Sequence, residues 1–403
     1  MACLAVAVSA AAADDEAKIK VSPYGFVENQ MFIQNRSSFQ AADGLLNFFP
    51  KDENPDIDGD DLNEGLNSRM IAINTRVGLV FTGPDVLGAR SKALVEGDFS
   101  TAGMCFFLRQ GHLQLDWDAD RLLFGQTGHP MCTDLMPGTI NIAIGSPFNA
   151  LNRSPMLRYD HLFLEDKSLD LTLAAIYQFC SGVSVGPNGK SNEYQTNSGI
   201  PEMWLGLKYS VNGFSVETGV DWTNISPRTV NDNNRKVSER ISCPSALLQM
   251  SYNTGKLSLR AKTIYGYDLT HLNMAGGYGV SKINSDGSYE YSALRQTSSW
   301  IFASYGSTWR VGLFGGFMKN LGADDDLVDT DKLLWVYNGS VNNIDMMYRI
   351  CPQIEYNVAN ISLGLECELT TVYYGDTVGK RGKVTDTYNV TNRRLFLSAK
   401  YNF

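Results

Sequence analysis

The chain has 403 residues and a formal net charge of −9, with only 19% charged residues, 37 glycines and 11% aromatics. No stretch reaches the roughly 18 uninterrupted apolar residues that a membrane-crossing helix needs, which excludes a helical membrane protein. Six cysteines follow Cys3 with no C-x-x-C pair and no zinc spacing, so small apolar side chains are expected rather than a metal framework.

Read from the first residue, MACLAVAVSAAAADDEAK carries an apolar run and small residues before its first charge. Residues 1–13 are therefore expected to be a secretory signal peptide, and 14–403 a single domain. Beyond it, sixteen runs alternate in polarity, near 20–33, 69–82, 89–99, 105–117, 120–127, 156–165, 168–179, 201–211, 213–222, 239–253, 255–268, 291–305, 307–318, 346–357, 360–374 and 387–403. Helical periodicity is almost absent. In FSVETGVDW, Phe214, Val216, Thr218, Val220 and Trp222 oppose Ser215, Glu217 and Asp221. In the last run, Leu395, Leu397, Ala399, Tyr401 and Phe403 oppose Arg394, Phe396, Ser398, Lys400 and Asn402.

The connections alternate between short and long. Turn formers such as EDKS, VNG, NTG, YGS and NVAN separate long stretches near 34–68, 127–155, 180–200, 223–238, 269–290, 319–345 and 375–386. A sheet with all its long loops at one end and one apolar face fits a closed barrel in lipid, where every backbone group must be paired internally. The expected fold is an all-β, transmembrane antiparallel β-barrel of sixteen strands in the bacterial outer membrane, with short periplasmic turns and long extracellular loops. Aromatics near strand ends, among them Tyr24, Trp117, Trp222, Tyr267, Trp309, Tyr373 and Tyr401, suit the membrane interfaces.

Acidity is concentrated in two loops. Residues 34–68 hold eight acids and two bases, and 319–345 six acids and two bases, which together account for the net charge and leave the wall near neutral. KDENPDIDGDD offers Asp56, Asp58 and Asp60 as a weak calcium candidate, but no frame places Gly sixth and an acid twelfth. A solvated loop bridged to lipopolysaccharide is the preferred reading, with no bound metal.

The third long loop differs from the rest. Between Gly128 and Pro155 its titratable side chains, besides Cys132, are His129, Asp134 and Arg153. So little charge predicts that it folds into the lumen, where it would narrow the pore; the alternative is a lid across the mouth. Constriction candidates are His129, Asp134, Asn141, Asn149 and Arg153. Inward parity nominates as pore-lining the bases Arg76, Lys92, Arg158, Arg260, Lys262, Arg310 and Arg349, and the acids Glu96, Asp98, Asp116, Asp170, Glu366 and Glu368, besides Glu217 and Asp221. Arg109 shares parity with Gly111, Leu113 and Leu115, which points it outward to a subunit interface.

LLFGQT, HPM, MPGT, SPF and NRSP-x-x-RYD, all within residues 105–165, resemble the trimeric porins of Bacteroidota, related to the dicarboxylate-specific porin family. The remainder agrees in architecture only, and Gly128 stands where Trp is expected. The resemblance implies a homotrimer whose third loop forms the constriction. The expected function is passive diffusion of small hydrophilic solutes, with a preference for small anions such as dicarboxylates. On that origin, Asp376-Thr377-Val378 matches a short O-glycosylation pattern. Outer-membrane lipid and lipopolysaccharide are the other expected partners, with no nucleic acid and no cofactor. His112, His129, His161 and His271 sit in no recognisable catalytic motif, so no enzyme is expected. A non-conducting barrel acting as a structural protein or adhesin through its acidic loops stays open.

Overall fold

The computed structural model describes residues 19–100, 105–141, 143, 145–180, 182–330 and 343–403. The expected signal peptide, Cys3 and residues 331–342 of the last acidic loop lie outside them.

Sixteen antiparallel strands form one closed sheet. They are β1 (Lys20–Arg36), β2 in two segments (Glu64–Ile71 and Arg76–Thr82), β3 (Arg90–Asp98), β4 (Phe107–Asp116), β5 (Asp120–Gly128), β6 (Arg153–Phe163), β7 (Leu169–Ile176) and β8 (Glu202–Val211). The second half comprises β9 (Phe214–Ile225), β10 (Ile241–Thr254), β11 (Leu257–Tyr267), β12 (Arg295–Gly306), β13 (Trp309–Gly322), β14 (Ile344–Val358), β15 (Ile361–Val378) and β16 (Val384–Asn402). Closure comes from β1, which pairs with β16 from Phe26–Asn402 to Gln34–Arg394. Gly25 and Phe403 exchange backbone hydrogen bonds of 3.1 and 3.0 Å at that seam. A Cβ on Gly25 would stand 2.3 Å from the Arg76 carbonyl oxygen, so only glycine fits there.

The two faces sort as alternation requires. Along β16, Leu395 and Leu397 are 44% exposed while Arg394 and Phe396 are 1% and 0% exposed. An open apolar surface around a closed sheet is a lipid-facing surface, where a Lys or Arg at mid-membrane costs about 2–4 kcal/mol. The turns at one end are tight. Asn212 and Gly213 join β8 to β9 with φ of 48° and 80°, a pair of left-handed residues matched to strand twist.

The sequence-based boundaries shift in three places. Strands β15 and β16 run 18 and 19 residues, well beyond the roughly 9–11 that cross a bilayer. Their hairpin continues as sheet above the membrane, so the loop expected over 375–386 shrinks to 379–383. Strand β2 breaks at a turn in which the Thr75 amide donates to the Ala72 carbonyl (3.1 Å), and the Asn74 side chain there donates to Glu28. Finally, the loop after β11 contains its own hairpin, Tyr278–Ile283 with Tyr289–Ala293. Cys132, Cys243 and Cys351 are buried thiols inside the barrel.

L1 (37–63) and L3 (129–152) turn inward. L3, between β5 and β6, lies in the lumen. So does the first part of L1, whose short hairpin Ser38–Ala41 with Leu46–Pro50 buries Phe48 and Phe49. These two rings pack with Phe148 of L3 and with Trp300, Phe302, Phe314 and Met318 of the wall.

Candidate functional site in the lumen

L3 leaves β5 through a single helical turn, Pro130–Thr133, capped by His129, whose Nδ1 accepts from the Met131 amide at 3.1 Å. The loop then crosses to the opposite wall, and basic wall residues hold its carbonyls. Lys262 Nζ donates to Met131 and Leu135 at 2.7 and 2.6 Å, and Arg260 to Met136 at 2.9 Å. Gln353 donates to Gly138 (3.1 Å), while the Ile140 amide donates to Glu366 at 3.1 Å. Arg349 donates to Ser146 at 2.9 Å and, with its other nitrogen, to Asn47 and Phe48 of L1 at 2.6 and 2.7 Å. Ile140 fills the space over Gly364, where a Cβ would meet it at 2.6 Å.

The expected lumen set thus divides by burial. Lys262, Arg349, Glu366 and Glu368 are 0–3% exposed and lie beneath the inward loops. Glu368 accepts from the Asn47 side chain at 2.8 Å and lies 3.6 Å from Arg394. His129, Asn141 and Asn149 are also buried: Asn149 accepts from the Trp300 indole at 3.0 Å, and Asn141 accepts from the Ala143 amide at 3.0 Å. They hold the shape of L3. Asp134 and Arg153 remain at open space, Asp134 in a 3.4 Å ion pair with Arg158, which also meets Asp160 at 2.8 Å. Lys92 pairs with Asp116 (3.2 Å) and Arg310 with Glu355 (2.8 Å). Asp170 lines a small cavity near Asp116 and Asp160, with one carboxylate oxygen buried and lacking a hydrogen-bond partner.

Arg109 is a correction. Between β3 and β4 the register slips, so that Glu96 faces Gln110 but Gly97 faces Leu108. Arg109 is the extra residue of this bulge, which reverses its parity. It points inward, 3.1 Å from Glu96 and bonded to Asp98, and is 5% exposed.

Space remains on both sides of the L3 segment 133–136. One cavity of about 420 Å³ is lined by Asp134, Lys208, Glu217, Gln249 and Arg260. The other, about 140 Å³, gathers Arg76, Arg109 and Arg153 around Glu96. Arg76 lies 3.7 Å from Glu96 and over the Phe26 ring, and its Nε and Nη2 have no hydrogen-bond partner. Three guanidiniums against the two carboxylates of Glu96 and Asp98 give that cavity a positive balance.

At the rim, the second part of L1 is a turn rather than a gathered ligand set. Asp56 accepts from the amides of Asp58 and Asp60 at 2.9 and 3.0 Å. Burial would raise the Asp61 carboxyl, yet the Asn54 and Asn63 amides and the Arg36 guanidinium, 2.7 Å away, hold it below its ordinary value.

The chain's fold has clear relatives among solved structures. The outer-membrane channel DcaP of Acinetobacter baumannii superposes with a TM-score of 0.68 at 17% identity, over 96% of this chain and 97% of that one. The fold is that of an outer-membrane porin. The anion-selective porin from Comamonas acidovorans follows, with a TM-score of 0.57, 13% identity, and 96% and 100% of the two chains covered. Salmonella typhi OmpF, in complex with daunomycin, gives 0.56 at 10% identity, over 95% and 97%. No protein-family model and no curated protein matches the sequence. A closed barrel, an apolar outer surface and this porin fold make the chain a bacterial outer-membrane barrel.

Proposed function

We propose that the chain is a diffusion porin whose third loop narrows the pore and whose selectivity favours small anions, dicarboxylates among them. The observation that carries this reading is the L3 crossing itself. Wall bases anchor the loop by its carbonyls, and the water-accessible space beside it faces Arg76, Arg109 and Arg153. Guanidiniums fixed at a narrow passage attract anions and admit them without reorganisation. Two of the proteins with this fold are described as a channel and as an anion-selective porin, which agrees. A homotrimer contacting lipid and lipopolysaccharide is part of the same proposal, as is export by the signal peptide over 1–13.

Planar-bilayer recording in asymmetric KCl tests it. The parent protein should show an anion-favouring reversal potential, and Arg76→Ala with Arg153→Ala should move it toward cations. A cation-selective parent, unchanged in those variants and in Arg158→Ala, would overturn the anion preference. A folded barrel that never conducts would instead favour the structural or adhesin reading, which the apolar packing of L1 and L3 inside the lumen makes a real competitor.

A further inference from the structure

Four chain segments meet where the root of L3 touches the wall. His129 opens L3, Glu202 begins β8, Asp221 lies near the end of β9, and His271 sits in a one-turn helix, Leu269–Leu272, of the loop after β11. Asp221 stands opposite Trp204 in the β8–β9 register, so Glu202 and Asp221 are diagonal neighbours on the inner face. All four side chains are 0–1% exposed.

Their polar atoms converge. His129 Nε2 lies 2.6 Å from Glu202 Oε1 and 3.8 Å from Asp221 Oδ1, and His271 Nε2 lies 3.5 Å from Glu202 Oε1 and 3.8 Å from Asp221 Oδ2. One ligand atom each of His129, Glu202 and Asp221 falls within 4.8 Å of the others. Among the described residues the two carboxylates have no Arg or Lys partner. Glu202 Oε2 and Asp221 Oδ1 are buried acceptors without a hydrogen bond. The partners of the two carboxylates are two imidazoles and the Thr223 hydroxyl, so each carboxylate keeps one buried oxygen that a bound cation would satisfy.

The hydrogen bonds assign roles. Because His129 Nδ1 accepts the Met131 amide, its proton is on Nε2 and is given to Glu202 Oε1. That ring therefore orients Glu202, as the outer partners of metal-binding carboxylates do. Glu202, Asp221 and His271 Nε2 are left to bind, a mixed nitrogen and oxygen set suited to zinc or a similar divalent transition metal rather than to calcium or magnesium.

We propose that Glu202, Asp221 and His271 form a structural site for a divalent transition-metal ion that fastens the loop after β11 to the barrel wall, with the root of L3 tied to it through the hydrogen bond by which His129 orients Glu202. The ion neutralises both carboxylates and joins the β8–β9 hairpin to the loop after β11.

The test uses tag-free, full-length, detergent-folded protein, with folding checked by heat-modifiable mobility. Zinc chloride is titrated against a chromophoric chelator. The parent should take up one equivalent per chain. His129→Ala should weaken uptake about 10- to 100-fold, and Asp221→Asn and His271→Ala should weaken it further. His271 lies outside the barrel strands, so His271→Ala keeps the test decisive if the wall variant does not fold. Folded parent that takes up no zinc, or a His271→Ala protein that binds as tightly as the parent, overturns the site.

Discussion

L1 and L3 both enter the lumen, but they do so in different ways. L3 is sparsely charged from end to end, and its described residues lie inside. L1 is divided: residues 37–50 hold one acid, Asp43, and no base, whereas residues 51–63 hold six acids. The first part buries Phe48 and Phe49, while the second stays exposed at the rim, closing turns on its own amides. Charge density over a dozen residues, rather than over a whole loop, decides which segment the lumen accepts. Burying a charge without a partner is too costly for any longer average to matter.

Arg349 joins the two loops, so its loss should have the largest effect. Arg349→Ala removes the donor to Ser146, Asn47 and Phe48 and leaves Glu366 without its charge. We expect a loss of about 3–5 kcal/mol, read as a lower temperature for heat modification, together with a larger conductance as both loops loosen. A variant with parental melting and conductance would mean that the loops are anchored elsewhere.

The next two substitutions separate the loops. Phe48→Ala empties a fully buried ring site in L1 alone and should cost about 3 kcal/mol, with the reversal potential kept. Lys262→Met removes two L3 carbonyl bonds while keeping the side-chain bulk, and should cost about 1–3 kcal/mol. Its signature is a wider pore with weaker anion preference. If Phe48→Ala moved selectivity as much as Lys262→Met, the division of labour between the loops would be wrong.

The barrel was legible in the sequence because lipid imposes a strict two-residue period, and Leu363, Leu397 and Glu366 obey it. The inward course of L3 was legible for the same electrostatic reason. L1 was not, because its acidic second half masked its apolar first half, although SSFQAADGLLNFFP carries the same mark as L3. Arg109 was misassigned because parity counting assumes an unbroken ladder, and a bulge changes the count by one. The His129, Glu202, Asp221 and His271 cluster has no spacing to find. Glu202 and Asp221 share the β8–β9 hairpin, but His129 and His271 reach them from two separate loops that only the folded barrel brings together.

The smallest expected effect belongs to the rim, in loops that stay outside. Glu239, between β9 and β10, receives both arms of Arg228 at 2.8 and 2.9 Å, the Tyr289 amide at 2.7 Å and the Tyr291 hydroxyl at 2.7 Å. It thereby clasps the outer hairpin. Burial alone would raise its carboxyl, but these four donors outweigh burial and hold it below the ordinary 4.5. A depressed folded value means stability that is present above the unfolded value and is lost as pH falls through the folded one. Glu239→Gln should therefore lower stability by about 1 kcal/mol at pH 7, and the gap between parent and variant should close in acid. Melting curves taken downward from pH 7 measure that gap. A constant difference across the acid range would mean that the clasp works by shape and not by charge.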